Sequence, residues 1–406
     1  MSSNPAVAIV YHFFALYRQP VLTALLSADD LRVTLVADRK NRIMPGVPEW
    51  DVPPDVRFQE ARCVPLPGGL MWQRGLLGLP FRRELDAIVY LGNWRWPATW
   101  ISAMLARLAG KRVLFWTHGW RKPARGLNRI LLNIFYRIPH GLLLYGNRAR
   151  EIAIENGFDP RRLYVVFNSL DHRLHQRLRE SISPAENRQT RLELFGDAET
   201  PIVICSSRIS KRKRLGLLLI AAAELKRRGR PVNVILIGDG PERSSLTRLA
   251  EELGVRVHFA GACFDETTIA RYTLASSVTV SPGATGLTVV QSLVYGRPIL
   301  TGDAFEEHGP EIEAIVPGVT GDFFHADDPG ELADMIAAYT QPDSPDASRQ
   351  ASCRRVVDLF YNPDYQVSVF RQAIGGQAAE PVSIHDAVAA EPIRSPAESP
   401  GQPPAD

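Results

Sequence analysis

Short apolar runs and longer amphipathic stretches take turns along most of the chain. In the first half the runs at 6–11, 31–37, 56–64, 87–91, 112–117, 141–145 and 164–167 are rich in β-branched and aromatic residues and read as buried strands. Helical periodicity falls between them at 19–27, 70–85 (broken near Pro80), 92–109, 127–138 and 147–156. A second series begins at Pro201. Its strands are expected at 202–206, 232–237, 255–259, 278–281 and 298–301, and its helices near 215–228, 242–253, 266–275, 287–295 and 330–339.

Strands alternating with helices specify an α/β protein with parallel sheets, and two such series specify two doubly wound, Rossmann-like domains. Domains of this kind facing each other form a cleft at the C-terminal ends of their strands, where open α/β sheets bind ligands. The first domain is placed at 1–175. Residues 172–200 are polar and charged, and the linker is drawn at 176–200. The second domain takes 201–360, followed by a helix at 361–374. From Gly375 the chain turns to Ala, Pro, Glu and Ser with few aromatics, and 375–406 reads as a disordered tail.

Composition narrows the function. With 45% hydrophobic and 22% charged residues in 406, the chain can bury a sizeable core. A net charge of +3 is too small to specify a nucleic-acid partner. Cys63, Cys205, Cys263 and Cys353 form no Cys-x-x-Cys pair, so no zinc site is expected and a reducing, cytoplasmic setting is. The N-terminus lacks a basic leader region, and no run of about 18 apolar residues suggests a membrane span.

The densest chemical signal is 277–303, SVTVSPGATGLTVVQSLVYGRPILTGD. A strand ends at Pro282, a Gly-rich turn (Gly283, Ala284, Thr285, Gly286) follows, a helical run is stopped by Gly296, and another strand begins. Such a turn delivers backbone N–H groups at a helix start, where an anionic phosphate is held favourably. Alone it is equally a packing feature. After the strand at 202–206 come Arg208 and the run Lys211, Arg212, Lys213, Arg214, either a solvated basic loop or cations placed to neutralise a diphosphate. Asp303, His308, Glu311 and Glu313 crowd one segment, but without metal-binding spacing on one face.

These segments resemble the donor-binding region of family 4 glycosyltransferases, retaining nucleotide-sugar enzymes of the GT-B fold. That family shows Pro-Ser, Glu-Gly-Phe-Gly-Leu, three residues, Glu-Ala and a closing Gly-x-Pro. Here the frame reads Ser281-Pro282, Gly283 to Leu287, Gln291-Ser292 and Gly296-Arg297-Pro298, so Gly283 and Gln291 stand where the two glutamates belong. The pattern is similar to a branch lacking both. The family's Gly-Arg-Leu, three residues, Lys-Gly is matched by Arg208 and Lys213, with Ser207 and Arg214 in place of the glycines.

The resemblance implies that Arg208 and Lys213 stabilise the leaving diphosphate. Gly286, Leu287 and Thr288 offer N–H groups to the phosphates. Gly238, Ala262 and Cys263 lie along the nucleotide, and Gln291 takes the ribose. Glu311, with His12 as a weaker candidate, is a possible sugar contact, and His118 positions sugar or acceptor unless it is merely structural. It also implies that the helix at 361–374 returns to brace the first domain. No cofactor or metal is expected, and no Asp-x-Asp triplet occurs. The implied partners are a nucleotide sugar and a glycan or lipid-linked acceptor. Trp94, Trp96, Trp100, Trp116 and Trp120, interleaved with Arg95, Lys111, Arg112, Arg121, Lys122, Arg125 and Arg129, suit a peripheral contact with an anionic membrane or plain core packing. The activity so implied is sugar transfer with retention. An epimerase or phosphorylase on the same fold, or a non-catalytic nucleotide- or glycan-binding paralogue, are the alternatives.

Overall fold

A computed structural model describes residues 4–44, 46–120, 126–341 and 347–389. The first half folds as β1 (Ala6–Val10), α1 (Gln19–Leu26), β2 (Arg32–Ala37), β3 (Phe58–Glu60), β4 (Cys63–Leu66), β5 (Leu70–Gln73), β6 (Ala87–Leu91), α2 (Pro97–Leu108), β7 (Arg112–Thr117), α3 (Gly126–Arg137), β8 (Gly141–Leu144), α4 (Asn147–Glu155) and β9 (Leu163–Val165). Seven of these strands form one sheet in the order β3-β2-β1-β6-β7-β8-β9, with every pairing parallel. Its central strands are buried on both sides along nearly their whole length, because helices cover both faces and leave no polar side to alternate with.

Two helices follow, α5 (His172–Ser181) and α6 (Pro184–Phe195). The second half then runs β10 (Ile202–Ser206), α7 (Leu215–Arg227), β11 (Asn233–Ile237), α8 (Arg243–Leu253), β12 (Val257–Gly261), α9 (Glu266–Ala275), β13 (Val278–Ser281), α10 (Thr288–Val294), β14 (Ile299–Gly302), β15 (Gly321–Phe324) and α11 (Pro329–Tyr339). Its parallel sheet has the order β12-β11-β10-β13-β14-β15. The order reverses between β10 and β13 here, and between β1 and β6 in the first sheet. These are the switch points at which doubly wound sheets open a crevice.

The chain ends with α12 (Ala347–Phe360), α13 (Pro363–Gly375) and α14 (Ile384–Ala389). Helix α13 crosses back to the first domain. Val367, Val369, Phe370, Ala373 and Ile374 join the apolar cluster of β1, β2, β7 and α1, and the Phe370 ring meets that of Trp116 at 5.1 Å.

The structure corrects several expectations. The stretch drawn as a linker is largely helical. Both helices are mostly polar, α5 burying His175 and α6 burying Thr190 and Phe195. Ser183 and Glu186 form a reciprocal capping box with Pro184 at the first helical position, a local signal that overall polarity masks. The helix expected at 70–85 is instead β5 and a short 3-10 turn (Leu76–Phe81), because the Pro-Gly-Gly of 67–69 closes an antiparallel β4–β5 hairpin. Strand β15 went unread, since its four residues are flanked by turns. The tail is ordered to at least residue 389, with Ala379 and Ile384 buried; 390–406 lie outside the described residues.

If α13 braces the first domain, Phe370→Ala leaves a cavity beneath Trp116 and lowers unfolding free energy by about 3–5 kcal/mol. Chemical denaturation followed by tryptophan fluorescence measures this. A change under about 1 kcal/mol would remove the bracing role.

Candidate active site at the domain cleft

The second sheet's C-terminal edge is built by pressing loops together backbone to backbone. Gly238, at φ +133°, lies where an added Cβ would come 2.0 Å from the Ser207 carbonyl, so only glycine fits. Its N–H donates to the Gly261 carbonyl at 2.7 Å, which brings in the loop of Ala262 and Cys263. On the other side of β10, Gly283 N–H donates to Lys213 O (3.1 Å) and Ala284 N–H to Arg212 O (3.2 Å). Four loops, after β12, β11, β10 and β13, therefore form one continuous rim.

Gly283 explains a departure from the usual motif. A Cβ there would stand 2.2 Å from the Arg212 carbonyl and 2.8 Å from the Lys213 carbonyl carbon. The basic loop's main chain fills the space a glutamate side chain would need. Arg214, standing where the motif has glycine, does adopt the left-handed conformation (φ +50°) that favours glycine. Ion pairs to Glu307 (3.1 Å) and Asp327 (3.4 Å) offset that strain.

Lys213 reaches across to the turn, its Nζ donating to Ala284 O at 2.5 Å. Burial pulls its pKa below the usual lysine range. Arg208 is exposed, and neither it nor Lys213 forms an ion pair among the described residues. The N–H groups of Gly286 and Leu287 donate to no protein carbonyl among the described residues. Thr288 turns its hydroxyl inward to Ser206 O (3.0 Å), so only its N–H can serve a ligand. Gln291 is half-buried, with no side-chain hydrogen bond among the described residues. Cys263 is half-buried and its Sγ leans on Asp265 O at 3.7 Å.

The crowded segment 303–314 does not converge on a metal. Asp303 accepts from Ala326 N–H (3.0 Å). His308 takes Thr285 N–H on Nδ1 (3.1 Å) and donates from Nε2 to Gly302 O (2.8 Å). Glu311 is buried, accepts from Asn168 Nδ2 at 2.7 Å, and directs Oε2 to 3.6 Å from where a Gly286 Cβ would sit. Glu313 accepts from the backbone N–H of Asn147 (2.6 Å) and Arg148 (2.9 Å). A carboxylate of the second domain thus caps α4 of the first, and Gly146 is needed because a Cβ there would lie 2.5 Å from Glu313 Oε1.

On the facing domain, His118 is exposed just after β7, with its ring 4.5 Å from that of Tyr145. His12, after β1, stacks on Tyr11 at 4.8 Å, and burial with the nearby Arg18 charge pulls its pKa down to about 4. It is therefore a neutral imidazole at pH 7. Of the two readings of the tryptophans, core packing holds. Trp96, Trp116 and Trp120 are buried, and Trp94 and Trp100 pack against the cluster that holds Trp120. Arg121, Lys122 and Arg125 lie outside the described residues. The sequence reading missed Arg18, Tyr145 and Asn168, which gather behind His118. An arginine inside the apolar HFFALYR run was the one local sign.

Residues 188–351 match the family model described as Glycosyl transferases group 1. A GDP-mannose-dependent phosphatidylinositol monomannoside mannosyltransferase of Mycolicibacterium smegmatis is 26% identical over 234 residues, 53% of this chain and 58% of that protein. A D-inositol 3-phosphate glycosyltransferase of Nocardia farcinica is 31% identical over 202 residues, 47% of this chain and 42% of that one. The chain thus spans about half the length of these curated relatives. Among solved structures, HepE of Anabaena in complex with UDP superposes with a TM-score of 0.68 at 17% identity, covering 92% of this chain and 99% of that one. The two-domain GT-B fold is shared.

Glu313 sets a pH dependence. Burial pushes its carboxyl up to about 7 from an ordinary 4.5, Glu151 adds to the push, and the α4 N–H groups oppose it. A folded-state pKa above the unfolded one gives stability that is full below about pH 4.5 and lost as pH rises through about 7. Wild type should lose stability between pH 5 and 8 relative to Glu313→Gln, measured by urea denaturation across that range. Parallel curves would show that Glu313 does not titrate there.

Proposed function

We propose that the protein is a retaining glycosyltransferase that moves a sugar from a nucleoside diphosphate to a glycan or glycolipid acceptor. One observation carries the reading: at the second sheet's switch point, Lys213 is bonded to the very turn that presents the N–H groups of Gly286 and Leu287, with Arg208 on the same rim. The family match over 188–351 and the fold shared with a UDP-bound structure support it.

In this reading the C1–O bond to the diphosphate breaks and its electron pair leaves with the diphosphate. The acceptor hydroxyl oxygen bonds C1 on the same face, and its proton passes to a diphosphate oxygen. Arg208, Lys213 and the N–H groups of Gly286, Leu287 and Thr288 stabilise the leaving charge. The diphosphate in turn opposes the downward pull of burial on Lys213, since a nearby opposite charge raises a lysine pKa. Backbone around Gly238, Ala262 and Cys263 lies along the nucleotide, and Gln291 bonds the ribose through its amide. Glu311 supplies, from the neighbouring segment, the sugar-side carboxylate that Gly283 cannot. His118, with the neutral, more buried His12 also on the facing domain, positions the reacting groups. No metal or cofactor is assigned a role.

Lys213→Ala should lower transfer at least about 100-fold while leaving the unfolding midpoint within a few degrees. The assay is nucleoside diphosphate release from a nucleotide sugar with and without acceptor. Acceptor-dependent release supports transfer. Unchanged activity in the variant, or binding without turnover in wild type, would leave the non-catalytic alternative standing.

The acceptor is proposed to be reached at an anionic membrane surface. No helix among the described residues is long and apolar enough to cross a membrane. Between residues 87 and 150 the sequence holds no Asp or Glu, and it includes Arg95, Arg107, Lys111, Arg129 and Arg137. In that stretch α2 and α3 meet at the Trp100 and Phe135 rings, 4.8 Å apart. They expose Ile101, Met104 and Leu108 on one face of α2, and Ile130 and Ile134 on α3. Wild type should float with liposomes containing anionic lipid, and Leu108→Glu with Ile130→Glu should not. Failure of wild type to float with either lipid composition would remove the membrane contact.

A further inference from the structure

Arg18 is 4% exposed, yet no carboxylate pairs with it directly among the described residues. Its Nη2 donates to Tyr145 OH at 2.7 Å and its Nη1 to Asn168 Oδ1 at 3.0 Å, while the rings of Trp116 and Tyr145 lie 4.9 Å from its Cζ. A buried cation among neutral partners is costly unless a counter-charge is within reach. The counter-charge comes through one side chain. Asn168 accepts from Arg18 on its oxygen and donates from its nitrogen to Glu311 Oε1 at 2.7 Å. Those two partners fix which way the amide points.

The segment carrying Asn168 is held under strain. Phe167 has φ +48°, a left-handed conformation that a buried bulky residue adopts only when its surroundings impose it. Gln366 of α13 supplies the restraint. Its Nε2 donates to Phe167 O at 3.0 Å, and its Oε1 accepts from Ser169 Oγ at 2.6 Å. At the far end, Glu311 belongs to a 3-10 turn (Pro310–Ala314) whose neighbour Gly309 donates to Thr285 O at 2.7 Å. A continuous chain of bonds runs from the buried cation of one domain to the Gly-rich turn of the other.

We infer that Asn168 is a positioning residue. It holds the Glu311 carboxylate against the turn at Gly286 and relays the Arg18 charge to it, so the sugar end of the donor site takes its working shape only while the two domains are in contact. This rests on the reading in which Glu311 faces the donor sugar. The diphosphate end, built wholly by the second domain, does not depend on it.

The test compares wild type, Asn168→Ala and the isosteric Asn168→Asp, using UDP, UDP-glucose, GDP and GDP-mannose as probes. Asn168→Ala should lower kcat about 100-fold, the scale expected for misplacing a reacting group by about 1 Å. The affinity for the free nucleoside diphosphate should stay within about threefold, and the extra thermal stabilisation given by the sugar should vanish. Asn168→Asp sets a second carboxylate against Glu311, so the pair shares a proton and the acidic limb of the kcat–pH profile moves up. Equal kcat and equal sugar increment in both variants would overturn the inference while leaving the transferase reading intact. A loss that follows only the unfolding midpoint, with no displaced pH profile in Asn168→Asp, would also overturn it. A wild type that neither binds nor turns over any of the probes would overturn both.

Discussion

Main chain pressed against main chain at the C-terminal edge of the second sheet is the constraint from which the site follows. Ser207 O leaves no room for a side chain at 238, and Arg212 O leaves none at 283. Because these loops touch without side chains between them, Lys213 is near enough to bond the Ala284 carbonyl, while the Gly286 and Leu287 N–H groups donate to no protein carbonyl among the described residues. The missing glutamate at 283 is then a consequence of packing rather than a hole in the site. The same closeness forces Arg214 into a glycine-like conformation, which two ion pairs make tolerable.

Among the described residues, polar contacts between the two domains fall at one short turn and along α5, where His172 pairs with Asp358 at 2.6 Å and His175 with Glu266 at 3.2 Å. Glu311 faces Asn168 and Glu313 caps α4, while Gly309 and His308 fasten the same segment to Thr285. Whatever moves the Gly-rich turn therefore bears on the domain contact. Helix α13 works on the opposite side. It fills the first domain's core with Phe370 and fixes the strained Phe167–Ser169 crossing with Gln366. One helix thus serves both as packing and as the frame for the crossing chain.

Much of the rim was readable because its cues are local. Arg208, Lys213, Gly238, Gly286 and Gln291 follow strands whose apolar runs are plain in the sequence, and a parallel strand delivers its next residues to the cleft. Polarity misled the reading at α5 and α6, where half-exposed helices resemble a linker until the Ser183–Glu186 cap is noticed. Aromatic content left two readings open at Trp96, Trp116 and Trp120, and these fill the core. The apolar surface that does stay exposed belongs to Ile101, Met104, Leu108, Ile130 and Ile134, which helical spacing alone cannot separate from core positions.

By itself the sequence determined that two parallel-sheet domains would form and where their Gly-rich and basic loops would emerge. Burial of β-branched runs and the conformational demands of glycine and proline act over a few residues and leave their mark in order. It could not disclose that Arg18, Asn168 and Glu311 are partners. Arg18 and Asn168 stand 150 residues apart and meet through the topology of the first sheet, while Asn168 and Glu311, 143 apart, come within hydrogen-bonding reach only where the two domains meet. Such a contact needs no period and no neighbouring motif, because its geometry is set by packing of whole domains rather than by the residues beside it.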